Sequence, residues 1–368
     1  MSHYRLHWNH EDNPDFLETE RRLCRQQEEI DRAVVISYPT LLSSPQTLGA
    51  AIEKAFGSDP MSLGIIVVRD LPAEYPVYRE RLLKLAYHFA HLDETVRESY
   101  SDPSSKYSFG WSHGKVTRYT LKGSYYANPI TEEETVSPQG REAFPEYYGK
   151  NIWPKKDEPD VEIFEQAFKE LSRLIFNVGC ELAVACQPFA SSHLVDSTLS
   201  LADLIRESQT TKGRLLHYFP PPPGSSFDED APIDSWCGFH LDHSLLTGLC
   251  PAMFLRRTEG GQPEIVKNPS PNSGLYIRTR GGQLVKVSIP ENCLAFQTGE
   301  ALEIATNGRL LATPHCVRVG ALSNTDEISR ESFALFMQPN TDQLLSEGVT
   351  FGQFSRKVFE EHYNSNAM

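Results

Sequence analysis

Apolar positions change their spacing along the chain, and each change predicts an element. Residues 1–32 are polar and charged, and only Glu18–Ile30 predicts a surface helix. Val34–Ser37 is a short β-branched run that predicts a strand, and Gly64–Val68 predicts a second, buried one. Leu48–Phe56 and Tyr78–His91 place their apolar residues at helical spacing. Pro103–Gly114 reads as a loop, and residues 115–160 mix short strands and turns. From Val161 to Cys186, apolar residues such as Phe164, Phe168, Leu171, Ile175, Val178 and Leu182 recur on one helical face. This predicts a long helix backing a sheet, with Asp160 as its N-cap.

After Arg214 the texture becomes short apolar runs separated by Gly, Pro and Asn turns. The runs are Leu215–Phe219, Ala252–Leu255, Leu275–Ile277, Leu284–Val287, Cys293–Phe296 and Ser332–Met337. Their even spacing predicts a β-sandwich or small barrel over about residues 214–338.

Composition narrows the class. The 368 residues allow one large domain or two small ones. A formal charge of −14 argues against nucleic acid as a direct partner. No run of about 18 apolar residues is present, so no membrane-spanning helix is expected. The segment Met1–Trp8 carries no apolar signal core, and the closing Ser-Asn-Ala-Met does not match the Ser-Lys-Leu peroxisomal address. Seven scattered cysteines without Cys-x-x-Cys suggest free thiols rather than a disulfide frame or a zinc knuckle. The expectation is a cytoplasmic protein, monomeric by preference, whose partner is a small molecule rather than nucleic acid or membrane.

The chemistry concentrates in Trp236–Leu249. Three His-x-Asp pairs occur: His10/Asp12, His91/Asp93 and His240/Asp242. With 12 histidines in an acidic chain, about one such pair is expected by chance, so context must separate them. The first lies in the polar N-terminal segment. The second follows a helical pattern, where residues i and i+2 diverge. The third follows Trp236 and Phe239 and precedes an apolar run, which reads as a strand end. There i and i+2 share a face and can grip one ion. Joined by His315, the pair forms two imidazoles and one carboxylate, the ligand set of non-haem Fe(II) oxygenases.

Several separated motifs then agree. Asn151-Ile-Trp-Pro154, Leu215–Pro221, His240-x-Asp242, the Gln297–Gly308 run leading to His315, and Arg330-Glu-Ser332 occur in one order. Over roughly residues 30–340 the chain resembles the isopenicillin-N-synthase-like branch of the 2-oxoglutarate/Fe(II) dioxygenases. The resemblance implies a mainly β fold with packed helices. Its core would be a double-stranded β-helix (jelly-roll, cupin-like) preceded by an N-terminal α/β region. The corresponding divisions are a polar extension (1–32), an N-terminal α/β region (33–160), backing helices (161–213), a catalytic β-helix domain (214–340) and a helical tail (341–368).

The resemblance also implies the cofactors and their residues. His240, Asp242 and His315 would bind Fe(II), while Arg330 and Ser332 would hold the far carboxylate of 2-oxoglutarate. Arginine suits that role because its planar fork matches a carboxylate. With O2, the reaction would hydroxylate or desaturate a small organic substrate and release succinate and CO2. Tyr125, Tyr126, Asn128 and Trp111 lie in loops that line the mouth in relatives, although packing competes with substrate contact at each.

Two departures bear on the co-substrate. The family's Asn-x-Tyr-Pro reads His217-Tyr218-Phe219-Pro220, which places a hydroxyl-free Phe219 at the tyrosine. His217, at the asparagine, would donate a hydrogen bond instead, and Tyr218 would alternate to the other face. The residue after the distal histidine is Cys316 rather than arginine. Two alternatives therefore stay open: an iron oxidase of the same fold that uses no 2-oxoglutarate, and a non-catalytic ligand-binding relative.

Overall fold

The computed structural model describes residues 33–115, 121–132, 135–190, 194–220, 237–270, 272–318 and 327–365. The expected Glu18–Ile30 helix and the His10/Asp12 pair lie outside the described residues.

Fourteen strands carry the architecture. They are β1 (Val34–Ser37), β2 (Ile65–Arg69), β3 (Gly110–His113), β4 (Lys122–Ala127), β5 (Lys212–Tyr218), β6 (Cys237–His240) and β7 (Leu246–Leu249). After them come β8 (Met253–Arg256), β9 (Glu264–Val266), β10 (Gly274–Arg278), β11 (Leu284–Val287), β12 (Leu294–Thr298), β13 (His315–Arg318) and β14 (Ile328–Met337). The larger sheet runs β1-β2-β12-β7-β14-β5-β4-β3, with β8 also on β14 and β9 on β8. The smaller sheet runs β11-β10-β13-β6. Among the described residues only β1 and β2 pair in parallel, and every other ladder in these two sheets is antiparallel.

Burial explains the strand compositions. Ile65 and Val67 of β2 pack against Ile277, Val285 and Val287 of the smaller sheet, forming an apolar layer between the two sheets. Ile66 and Val68 point to the opposite side and join the main core with the helices. A strand covered on both faces needs apolar residues at consecutive positions, which is why Gly64–Val68 shows no alternation.

The helices Tyr75–His91 and Phe164–Cys186 lie on the outer face of the larger sheet, against β14 and β5 and against β14 and β7 respectively. The second helix begins at Phe164, and Ile163 occupies its N-cap. Asp160 instead sits in the left-handed region (φ 67°), in the turn before the helix, so the expected cap is displaced. Two further expectations change. Gly110–His113, read as the end of a loop, is strand β3 paired with β4, and residues 138–148 form two short helices.

Candidate metal centre

The ligand strands are neighbours in the smaller sheet. His240, the last residue of β6, is the cross-strand partner of His315, the first residue of β13. Their rings lie 4.3 Å apart between centroids. Asp242 falls two residues past the end of β6 rather than on the strand, in the loop leading to β7. Its Oδ1 sits 3.8 Å from His240 Nε2 and 3.9 Å from His315 Nε2. One donor atom from each residue lies within 4.8 Å of the other two.

Both imidazoles are held in the tautomer a metal needs. The Nδ1–H of His240 donates to the Gly238 carbonyl at 2.8 Å, and that of His315 donates to the Thr313 carbonyl at 2.9 Å. Each ring therefore turns a bare Nε2 toward Asp242, the arrangement expected of oriented histidine ligands. Burial and the neighbouring His240 push the His315 imidazole down to about 4, so it is neutral at physiological pH. Burial drives the Asp242 carboxyl upward, but the two imidazoles and the Thr247 hydroxyl outweigh it and hold the carboxyl below its usual range. The donor set is thus two imidazole nitrogens and one carboxylate, which fits Fe(II).

Backbone contacts fix the Asp242 loop. The Glu300 N–H donates to the Asp242 carbonyl at 2.8 Å, and the Gly299 N–H donates to that of Leu245 at 3.2 Å. A Cβ on Gly299 would stand 2.1 Å from the Ser244 carbonyl oxygen and 2.7 Å from that of Asp242. Only glycine permits this approach, so the Gln297–Glu300 segment acts as a clamp on the carboxylate ligand.

The three residues open into a cavity of about 670 Å³ between the two sheets. Arg330 and Ser332 enter it from β14, on the sheet facing the histidines. Arg330 is 7% exposed, and its Nη1 donates to Ser332 Oγ at 3.3 Å. Directly across the β5–β14 ladder stands Tyr218, whose ring centre lies 5.0 Å from the guanidinium carbon.

The β5 alternation thus runs opposite to the sequence expectation: Leu216 and Tyr218 line the cavity, and His217 does not. His217 is buried on the outer face, where its Nδ1–H donates to Glu331 at 2.9 Å. Ser329 Oγ donates to the same carboxylate at 2.7 Å.

Of the four proposed mouth residues, Tyr126 alone reaches a cavity beside the metal cluster. Tyr125 is buried against Phe89, Phe164 and Phe168, with its hydroxyl on the Ile152 carbonyl. Asn128 braces a turn: its Oδ1 accepts from Ile130 and Thr131 N–H at 3.0 Å, and its Nδ2 donates to the Gln209 carbonyl at 2.8 Å. Trp111 packs on Phe89 in the core. Of the other histidine candidates, His91 donates to the Tyr87 carbonyl and Asp93 caps the next helix through the Thr95 N–H. His243 packs edge-on against Phe354.

Three cavity residues were not singled out in the sequence. Thr247 lines the cavity close to Asp242, its hydroxyl hydrogen-bonded with Ser244 Oγ at 2.8 Å. Gln297 is fully buried in the cavity wall, and neither its Oε1 nor its Nε2 has a hydrogen-bond partner among the described residues. Burying an amide unpaired is costly, so such a group points to a polar ligand within reach. Arg214, opposite Ala334 on the β5–β14 ladder, also lines the cavity.

Solved structures share this architecture. A Caulobacter crescentus protein assigned to the 2OG-Fe(II) oxygenase family superposes with a TM-score of 0.62 at 19% identity, over 90% of this chain and 99% of its own. The Arabidopsis thaliana dioxygenase for auxin oxidation, in complex with 2-oxoglutarate, gives 0.53 at 16% identity over 86% and 96%. A Neurospora crassa protein in complex with α-ketoglutarate and 5-formyluracil gives 0.53 at 17% over 84% of each chain. The chain has the fold of the 2-oxoglutarate/Fe(II) oxygenases. No family model and no curated protein matches the sequence, so the oxygenase fold is visible in the backbone at identities where sequence comparison is silent. Among the described residues no helix of this oxygenase fold is long and apolar enough to cross a membrane.

Proposed function

We propose that the protein is an Fe(II)- and 2-oxoglutarate-dependent oxygenase of the isopenicillin-N-synthase-like branch, built on a double-stranded β-helix and acting on a small organic molecule. One observation carries this reading. The His240/Asp242/His315 cluster on the smaller sheet and the Arg330/Ser332 pair on the larger sheet line the same cavity. A metal-binding face opposite a buried guanidinium suits a ligand with a metal-chelating end and a carboxylate end, which describes 2-oxoglutarate.

His240 and His315 would hold Fe(II) through Nε2 and Asp242 through its carboxylate, while the Glu300 N–H fixes the backbone of the Asp242 loop. The bound iron would supply the activation of O2 that no protein side chain can provide. Arg330 and Ser332 would anchor the far carboxylate of 2-oxoglutarate, with Tyr218 stacked on the guanidinium. Gln297, from the cavity wall, would offer an amide to the bound ligands. The overall reaction converts substrate, O2 and 2-oxoglutarate to hydroxylated or desaturated product, succinate and CO2. Tyr218 in the cavity restores the phenol that Phe219 had seemed to replace, which weakens the case for a 2-oxoglutarate-independent oxidase.

The test is an oxygen-free visible spectrum of the Fe(II)-loaded protein before and after adding 2-oxoglutarate. A new metal-to-ligand charge-transfer band, lost in Arg330→Gln at the same co-substrate concentration, is the expected result. Bound iron with no band at saturating 2-oxoglutarate would sink the proposal.

A further inference from the structure

A second chamber, about 300 Å³ in volume, adjoins the first. The two share Arg214, His240, Asp242 and Phe336, whereas Arg330 and His315 line only the first. Arg214 therefore stands where the chambers meet, beside two of the three metal ligands. It lies opposite Ala334, four residues along β14 from Arg330, about 13 Å away along the ladder. An acid held at Arg214 would leave the proposed co-substrate anchor untouched.

The walls of this chamber run against the composition of the chain. A protein with 49 acidic and 35 basic residues places Lys106, Lys115, Lys122, Lys212 and Arg214 around one small space. Only two carboxylates line it among the described residues, Glu146 and Asp242. Glu146 pairs with Lys106 at 3.1 Å, and Asp242 belongs to the metal cluster. Lys212 is committed to the carbonyls of Ser108 and Glu146.

Arg214 and Lys122 project from neighbouring strands, separated by one inward pair. Lys122 is cross-strand to Tyr218, Ser124 to Leu216, and Tyr126 to Arg214. Ser124 Oγ accepts from Arg214 Nε at 3.2 Å and Nη2 at 3.1 Å, and the guanidinium carbon lies 5.2 Å from the centre of the Tyr126 ring. The guanidinium is thus fixed in orientation by a hydroxyl and an aromatic face, as a preorganised anion contact should be. Tyr126 adds an apolar surface beside the charge.

We infer that this chamber is the substrate subsite for the carboxylate of a small organic acid, with Arg214 as its main contact and Lys122 in support. The inference rests on the oxygenase reading of the adjoining cavity and names the substrate class for it. Such an acid would lie with its charged end at Arg214 and its remaining carbons toward the metal cluster.

The test uses the full chain loaded with Fe(II) and 2-oxoglutarate without oxygen, so that Arg330 is occupied. A panel of aliphatic and aromatic monocarboxylic acids is compared with the matching primary amides and phosphate monoesters. Ligand-observed NMR gives the affinities and, through relaxation by the paramagnetic iron, proximity to the metal. Acids are expected to bind near the iron about 10- to 100-fold tighter than their amides. Arg214→Gln should erase that preference while the charge-transfer band of 2-oxoglutarate persists; Arg214→Lys should keep part of it. Lys122→Gln gives a smaller loss and serves if the Arg214 variants do not fold.

Equal binding of acids and amides, an undiminished preference in Arg214→Gln, or stronger binding of phosphate monoesters would each overturn the subsite. Absence of the 2-oxoglutarate band in the unaltered protein strikes the oxygenase reading instead. Acids whose binding is then lost in Arg330→Gln but kept in Arg214→Gln would remove the subsite as well.

Discussion

Tyr218 and Arg330 face each other across the β5–β14 ladder, the phenol ring lying against the guanidinium in the cavity wall. One position away, His217 and Glu331 make the equivalent pair on the outer face. The first pair lines the cavity and the second is buried away from it. Tyr218→Ala is expected to weaken 2-oxoglutarate binding several-fold, since a cation–π contact contributes about 0.5–2 kcal/mol. His217→Ala should leave that affinity unchanged but remove one of the buried hydrogen bonds to Glu331, costing about 1–3 kcal/mol. Titration of the charge-transfer band and thermal unfolding measure the two effects separately. A His217 variant that loses co-substrate affinity at full stability would reverse the assignment.

His315→Ala removes one of the two oriented nitrogens while leaving the β13 backbone in place. Bound iron, measured after gel filtration without oxygen, should fall from near one per chain to background, with the far-UV circular dichroism spectrum retained. Iron retained at full stoichiometry would place the metal elsewhere.

Gly299→Ala probes the clamp rather than a ligand. Its methyl group has no room against the Ser244 and Asp242 carbonyls, so the loop carrying the carboxylate must move. Fe(II) affinity by chelator competition is expected to fall at least about tenfold, the size of effect seen when support of a metal ligand is lost. Unchanged affinity would show that the loop tolerates the shift.

Burial pushes the Cys180 and Cys250 thiols up to about 11 and the Cys186 thiol up to about 12. At pH 8 about one thiol in a thousand, or fewer, is ionised at each position, and the thiolate is the reactive form. A disulfide reagent should leave these three untouched in the native protein and count all seven cysteines after unfolding. Reaction of all seven in the folded state would contradict the buried placement.

Elements whose pattern reports burial directly were legible in the sequence. Ile65–Val68 and Phe164–Cys186 form the expected strand and helix because each is covered by the core. The grouping of His240, Asp242 and His315 was legible too, since the three residues are chemically distinctive and ordered along the chain. What failed was parity. Anchoring β5 on Pro220 put His217 in the pocket, but strand facing is set by the ladder with β14, and that ladder turns Tyr218 inward. The same one-residue difference separates buried Tyr125 from chamber-lining Tyr126. Gln297 opens a quoted motif, yet its own role, like those of Thr247 and Arg214, stayed unread because a single polar residue in an apolar strand acquires meaning only from the space it faces.

The smaller sheet carries the two histidines, and the larger one carries Arg214 and Arg330, which line the same cavity. On the proposed reading, reactivity and selectivity therefore reside on opposite walls. If the proposed function holds, exchanging inward residues of β4 and β5 would retarget the protein to a different compound while leaving the wall with His240 and His315 intact, which makes those two strands the place to begin redesign.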